Sequence, residues 1–145
     1  MSRVQLALNV TDVDAAVDFY SKLFGSEPAK RRPGYANFAI DEPALKLVLI
    51  QSGSGGTINH LGVEVMSPEE VSEATGRLAR EGLQTTVEDD VTCCYARQNK
   101  VWVSDPDGAP WEVYTVLADA GHMACDEGSI CCGIASGEAS SVGCC

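Results

Sequence analysis

Apolar and polar residues alternate along residues 3–10, RVQLALNV, which is the pattern of a half-buried strand. The next apolar residues recur at intervals of three and four, and they predict a helix that begins near Thr11 and stops at Gly25. Three short extended segments follow, separated by turn residues. They lie near residues 28–30, 35–40 and 45–51. The first part of the chain therefore predicts the order β-α-β-β-β.

The same order returns after a linker rich in Gly and Ser at residues 52–56. A strand over residues 57–65 is followed by a helix, for which Ser67 is the predicted N-cap and Pro68 the first residue. Further extended segments are predicted near residues 83–88, 101–104 and 111–117. The second part of the chain again predicts β-α-β-β-β.

The two parts also correspond residue by residue. A shift of 55 positions lays Gln5 on His60, and the neighbouring apolar residues then coincide as well. We therefore predict an α+β fold in which two paired βαβββ modules form one cleft. Module one spans residues 1–51, and module two spans residues 57–117.

Residues 118–145 differ from the rest of the chain. They include four acids, no Lys or Arg and no Trp, Tyr or Phe, and they are rich in Gly, Ala, Ser and Cys. Such a segment cannot bury enough apolar surface to offset its ordering entropy. We expect a mobile acidic tail outside the domain.

Three polar residues occupy corresponding inward-facing strand positions: Gln5, His60 and Glu112. A buried strand carboxylate is costly unless a metal, a charge or hydrogen bonds compensate it. An amide, an imidazole and a carboxylate with open positions between them approximate the facial ligand set of non-haem Fe(II) oxygenases. The alternatives are a structural histidine, a core amide, and an ion pair between Glu112 and Lys46. The shared positions favour a metal site.

The adjacent pair Cys93-Cys94 offers two soft sulfurs to one thiophilic centre. Cysteine is often just a buried packing residue, but a strand would turn only one of two neighbours inward. We therefore expect this pair on a mobile loop rather than in the core. Two further pairs lie in the tail, where they fit metal capture or are incidental. The tail cysteines, whose role is left open, are Cys125, Cys131, Cys132, Cys144 and Cys145.

Ten basic against 21 acidic residues give a net charge of −11, which argues against partners such as nucleic acid and anionic membranes. The N-terminal apolar run is too short for a signal peptide, and no stretch is long enough to span a bilayer. Seven unevenly spaced cysteines without an export signal indicate a reducing, cytoplasmic location with free thiols, not a disulfide framework.

The duplicated order of elements, the segment SDPDGAPWEVY and the pair His60/Glu112 resemble the vicinal oxygen chelate superfamily, which includes glyoxalase I, extradiol dioxygenases and antibiotic-resistance proteins. The resemblance covers residues 2–117. Within the superfamily, LALNVTDVDAAVDFYSKLFG, NHLGVEV and TCCYARQNKVWVSDPDGAPWEVYTV are similar to the organoarsenical carbon–arsenic lyases, related sequences of which are described as cadmium-induced or glyoxalase-like.

That resemblance implies Fe(II)- and O2-dependent cleavage of the carbon–arsenic bond of trivalent organoarsenicals, such as methylarsenite and reduced aromatic arsenicals, with release of arsenite. It implies that Cys93 and Cys94 bind the arsenic, and that Gln5, His60 and Glu112 bind the iron. The usual ligand at the first of these positions is His, so Gln5 leaves the native metal open. The superfamily also allows a homodimer.

Other functions fit parts of the pattern. A glyoxalase-like enzyme or an antibiotic thiol transferase would not need Cys93-Cys94, and a bleomycin-binding protein would use the cleft without metal. A protein that sequesters cadmium or arsenite would use the cysteines alone, the tail pairs included. Truncation after Leu117 separates these classes, because catalysis should survive it and sequestration should not.

Overall fold

A computed structural model describes residues 2–122 of the chain. These residues form eight strands and two helices in the predicted order. Module one contains β1 (Arg3–Val10), α1 (Val13–Phe24), β2 (Lys30–Arg32), β3 (Tyr35–Ile40) and β4 (Leu45–Gln51). Module two contains β5 (Thr57–Glu64), α2 (Pro68–Arg80), β6 (Thr86–Cys93), β7 (Ala96–Ser104) and β8 (Pro110–Asp119).

All eight strands belong to one mixed sheet in the order β2-β3-β4-β1-β5-β8-β7-β6. In each module the first strand runs parallel to the last, β1 to β4 and β5 to β8. The modules join where β1 and β5 pair antiparallel at the centre of the sheet. The sheet curls into a half-barrel with one concave face, which confirms the predicted fold.

Helix α1 covers the convex face of module one. Its buried residues Val13 and Val17 pack into a cluster with apolar side chains of β3 and β4, Phe38 and Leu47 among them. Helix α2 covers module two through Val71 and Leu78. Because both helices lie on the convex side, the concave side is left to polar residues.

The first residue of α2 agrees with its prediction, whereas α1 begins later than predicted. Ser67 is the N-cap of α2 and accepts a hydrogen bond from the Glu70 amide, as predicted. The N-cap of α1 is Asp12, one residue after the predicted Thr11, since its carboxylate accepts hydrogen bonds from the amides of Asp14 and Ala15. A carboxylate also suits the positive end of the helix dipole better than a hydroxyl does.

Strand β8 continues to Asp119, two residues beyond the predicted end of module two at residue 117. The predicted mobile tail, with its five cysteines, lies outside the described residues from residue 123 onward. Neither helix of the described part has the length and apolar character needed to cross a membrane.

Phe38 tests the core of module one. It is fully buried, whereas Phe19 on the outer face of α1 is 58% exposed. We expect Phe38→Ala to lower the free energy of unfolding by about 3–5 kcal/mol, because it leaves a cavity between α1 and the sheet. Urea denaturation of Phe38→Ala and of Phe19→Ala measures the difference. Equal losses in the two variants would contradict the described packing.

Candidate functional site

Strand register brings the three predicted ligands together at the centre of the concave face. Gly62 of β5 lies opposite Gln5 on β1 and also opposite Glu112 on β8, and His60 is two residues from it on the same face. Gln5 Nε2 lies 3.1 Å from His60 Nε2 and 2.8 Å from Glu112 Oε1, and the latter two atoms are 3.2 Å apart. All three side chains are buried. The predicted convergence is therefore present.

Gly62 is the residue that permits this approach. A Cβ on Gly62 would lie 3.0 Å from both Cγ and the carbonyl oxygen of Glu112, and 3.3 Å from Gln5 Nε2. Few Cβ atoms in proteins have neighbours so close, so a side chain here would push the two ligands apart. The glycine leaves a space that the three polar groups share.

Asn59 fixes the orientation of the His60 ring. The pairing of β1 with β5 shifts register between Ala7 and Leu8, so that Asn59 is left without an opposing residue, as in a β-bulge. Its Oδ1 lies 2.7 Å from His60 Nδ1, while its Nδ2 donates to Asn9 Oδ1. Because Asn59 Oδ1 can only accept, Nδ1 carries a proton and Nε2 faces Gln5 and Glu112.

The arrangement brings two acceptor atoms together at its centre. With Nδ1 protonated, the neutral imidazole has a lone pair on Nε2, which then faces the carboxylate oxygen Glu112 Oε1 at 3.2 Å. The two N–H groups of the Gln5 amide can satisfy both electron pairs, and a metal ion would be an alternative partner for the same two atoms. Gln5 meets them with its amide nitrogen, while its oxygen accepts a hydrogen bond from the Tyr114 hydroxyl. Since a hydroxyl both donates and accepts, Tyr114 also tolerates a rotated amide that presents oxygen to a metal.

Lys100 is a site residue that the sequence reasoning missed. Its ammonium, fully buried on β7, donates to Glu112 Oε2 at 2.8 Å. Burial by itself would raise the pKa of Glu112, but the charges of Lys100 and His60 outweigh it and hold that pKa at about 2. Glu112 therefore forms an ion pair, as one alternative proposed, but its partner is Lys100. Lys46, the partner suggested from the sequence, pairs with Glu64 at 3.7 Å. The only sequence signal was a lysine directly before the apolar strand predicted over residues 101–104.

The donor set fits a divalent metal. Three cis ligands at about 2.1 Å from an octahedral ion lie about 3.0 Å from one another, close to the three separations between Gln5, His60 and Glu112. Lys100 occupies one carboxylate oxygen and leaves Oε1 for the metal. Within residues 2–122, no group of three or more His, Cys, Asp or Glu side chains is placed to hold a metal ion. The cluster of Gln5, His60 and Glu112 is not such a group, because its third member is an amide.

The cysteine pair is part of a tight hairpin, and the structure corrects the expectation that both residues lie on a loop outside the core. Cys93 is the last residue of β6 and is fully buried, while Cys94 and Tyr95 form a two-residue turn to β7. Both turn residues have positive φ, 54° and 60°, as a type I′ turn requires. Lys30 Nζ and the Ala120 amide both donate to the Tyr95 carbonyl and hold the turn in place.

The structure also departs from the expectation that the thiols stay free. Cys93 is disulfide-bonded. The bond does not run to Cys94, whose Sγ is 3.5 Å from that of Cys93, far beyond the S–S bond length of about 2.05 Å. Any function that uses both sulfurs therefore requires Cys93 in its reduced form.

Cys94 and the three converging residues line one cavity of about 330 Å³ on the concave face. Cys94 packs beside Ala7, the residue opposite His60. Tyr35 is buried in the same wall, where burial first and then the Cys94 charge raise the pKa of its hydroxyl. The cavity is large enough for a small molecule, and it combines a thiol with a possible metal position.

Comparison with known proteins agrees with this geometry. A family model described as the Glyoxalase/Bleomycin resistance protein/Dioxygenase superfamily matches residues 3–113. The chain is 63% identical over 121 residues to the cadmium-induced protein CadI of Mycobacterium tuberculosis, covering 83% of this chain and 80% of that protein. It is 58% identical over 134 residues to the trivalent organoarsenical cleaving enzyme of Thermomonospora curvata, covering 91% and 89% respectively.

Solved structures show the same fold. The Mn(II)-bound glyoxalase from Novosphingobium aromaticivorans matches with a TM-score of 0.59 and 22% identity, over 86% of this chain and 43% of that one. At this identity the likeness concerns the fold alone.

Gly62 and Gly76 provide a matched test of the crowded centre. We expect Gly62→Ala to abolish metal binding, because its Cβ collides with Glu112, and to cost about 1–3 kcal/mol of stability through overpacking. Gly76 is in α2, where a Cβ would approach only the end of the Arg80 side chain, at 3.4 Å, so Gly76→Ala should keep metal binding. Titration with Mn(II) under argon, followed by urea denaturation, measures both effects. Normal Mn(II) affinity in Gly62→Ala would refute this view of the site.

Lys100 provides a second test. We expect Lys100→Met to destabilise the metal-free protein by about 3–5 kcal/mol, because it leaves the buried Glu112 carboxylate without its cation. Saturating Mn(II) should restore much of that loss, since a metal compensates the same charge. Lys22→Met, which removes an exposed pair with Asp18, is the control and should change stability by less than about 1 kcal/mol. Urea denaturation of wild type and both variants, with and without Mn(II), measures these stabilities. If Mn(II) restores none of the stability lost in Lys100→Met, that result would argue against metal binding at Glu112.

Proposed function

Because the chain belongs to the Glyoxalase/Bleomycin resistance protein/Dioxygenase superfamily and, within it, to the family of the trivalent organoarsenical cleaving enzymes, we propose that it cleaves the carbon–arsenic bond of trivalent organoarsenicals. The reaction would depend on Fe(II) and O2, act on methylarsenite and reduced aromatic arsenicals, and release arsenite. The observation that carries the proposal is the single cavity lined by Cys94, Gln5, His60 and Glu112.

In this proposal Cys93 and Cys94, once reduced, bind the arsenic atom. Trivalent arsenic is thiophilic, and each thiol that binds it replaces one hydroxyl, which leaves as water with the thiol proton. Two sulfurs that share a soft atom at roughly 2.3 Å, with an angle of about 100° between the bonds, lie about 3.5 Å apart, which is the spacing of the two Sγ atoms. The type I′ turn fixes that spacing before substrate arrives, so little ordering is left for binding.

Gln5, His60 and Glu112 would hold Fe(II). Bound there, iron would supply the redox chemistry with O2 that cleavage of the carbon–arsenic bond requires. Asn59 keeps the proton on His60 Nδ1 and so keeps Nε2 free to bind. An amide oxygen is a weaker metal ligand than an imidazole, so Gln5 in place of a second histidine should lower the metal affinity. The metal that the site prefers therefore has to be measured.

Lys100 and Trp102 complete the wall around the metal position. The Lys100 ammonium donates to Glu112 Oε2, so the other carboxylate oxygen would be the one available to hold the metal. The Trp102 ring meets the His60 ring edge-on at 5.5 Å, and its indole N–H donates to Glu88. This contact orients the imidazole and excludes water from its outer side.

A second candidate function is sequestration of a soft metal such as cadmium, and the relative named cadmium-induced protein CadI favours it. Sequestration would use the sulfur atoms of Cys93 and Cys94 and would not need Glu112. Sequestration assigns no role to the buried cluster of Gln5, His60 and Glu112. We therefore favour catalysis over sequestration as the function.

Turnover tests the proposal directly. The reduced full-length protein is loaded with Fe(II) under argon and given methylarsenite, and air is then admitted while arsenite is followed with time. We expect several equivalents of arsenite per protein. Glu112→Gln should lower the rate at least about a hundredfold through loss of the metal, while it leaves methylarsenite bound to the thiols.

Two variants serve as controls for turnover. Cys94→Ser should weaken methylarsenite binding and abolish turnover, whereas Glu73→Gln, an exposed change on α2, should change neither. Tight methylarsenite binding without arsenite release in the Fe(II)-loaded protein would contradict catalysis and leave the sequestration function.

A further inference from the structure

Gln98 has a buried polar atom that no described residue satisfies. The side chain is 5% exposed, and its Oε1 lacks a hydrogen-bond partner among residues 2–122. Leaving a buried amide oxygen unpaired is unfavourable, and such atoms are rare in native proteins. An unsatisfied acceptor in the wall of a cavity indicates a donor that arrives with a ligand.

The orientation of the Gln98 amide is fixed by its neighbour. Its Nε2 donates to the carbonyl oxygen of Cys93 at 3.3 Å. Because a carbonyl oxygen can only accept, the amide nitrogen must face it, and the other end of the amide must be the oxygen. Gln98 lines the cavity, and the amide atom that it leaves without a partner is an acceptor, not a donor.

Gln98 also lies beside the sulfur pair. Cys93 is opposite Ala96 in the β6–β7 hairpin, and Gln98 is two residues further along β7, so these side chains share one face of the sheet. Gln98 and Cys94 line the same cavity. A ligand held at Cys94 would therefore lie in a cavity that Gln98 also lines.

Resting on the proposed function, we propose that Gln98 Oε1 accepts a hydrogen bond from a hydroxyl on thiolate-bound arsenic. Inorganic arsenite has three hydroxyls, and when two thiols have each replaced one as water, a single As–OH remains. Methylarsenite has only two, so the same exchange leaves none. Gln98 is therefore a binding residue for the inorganic product, the state in which oxygen has taken the place of carbon on arsenic.

This assignment predicts a selective effect on affinity. Gln98→Met keeps the length of the side chain and removes the acceptor. It should weaken arsenite binding about three- to tenfold, the effect of one hydrogen bond, and leave methylarsenite affinity within about twofold. The first step is to titrate both arsenicals into the reduced full-length protein under argon by calorimetry, so that no turnover occurs.

Arsenite could also bind to the thiols of the five cysteines in residues 123–145, and a double-mutant cycle removes any such contribution. In the Cys94→Ser background, Gln98→Met should have no further effect on arsenite affinity, because arsenic is no longer held next to Gln98. Gln98→Leu repeats the measurement with a second side chain of similar size.

Two results would overturn the proposal. Equal weakening for both arsenicals would mean that Gln98 acts only through the Cys93 carbonyl, and unchanged affinity for both would mean that it makes no contact with arsenic. If wild type and Cys94→Ser bind both arsenicals with the same affinity, the proposed function fails together with the role of Gln98. This outcome is distinguishable from the first two, which concern the Gln98 variants.

Discussion

The antiparallel pairing of β1 with β5 is the contact on which the rest of the structure depends. It joins two modules, each of which would otherwise expose the edge of its first strand, into one eight-stranded sheet. The same pairing places Gln5 opposite Gly62 and Ala7 opposite His60. The cavity therefore exists only because the duplicated halves share their central strands, and a site at this seam has ligands from both.

A buried carboxylate dictates the chemistry around that seam. Glu112 is nearly inaccessible to solvent, and charge in such a place has to be compensated by several kcal/mol of favourable interactions. Lys100 compensates one oxygen, and the Gln5 amide and His60 lie at the other. A metal ion at this second oxygen would complete the compensation, and Cys94 in the same cavity would place a thiophilic substrate beside it.

The sequence predicted the fold and the converging residues because both follow from repetition. The shift of 55 residues that lays Gln5 on His60 reflects a real structural equivalence, since both strands lie at the seam of the sheet. Lys100 escaped prediction because its partner, Glu112, is defined by strand register, which a single sequence does not reveal. The hairpin turn at Cys94-Tyr95 escaped because its residues are not the Asn-Gly or Asp-Gly that usually mark positive φ.

X-ray absorption at the iron and arsenic edges tests the central claim most directly. One sample suffices: reduced protein, loaded with one equivalent of Fe(II) and one of methylarsenite under argon. The proposed function predicts arsenic with two sulfur neighbours and one carbon, and iron with nitrogen and oxygen neighbours alone, because Cys93 and Cys94 would bind the substrate. Sulfur bound to iron, or arsenic surrounded by oxygen, would contradict the division of the cavity into a thiol side and a metal side.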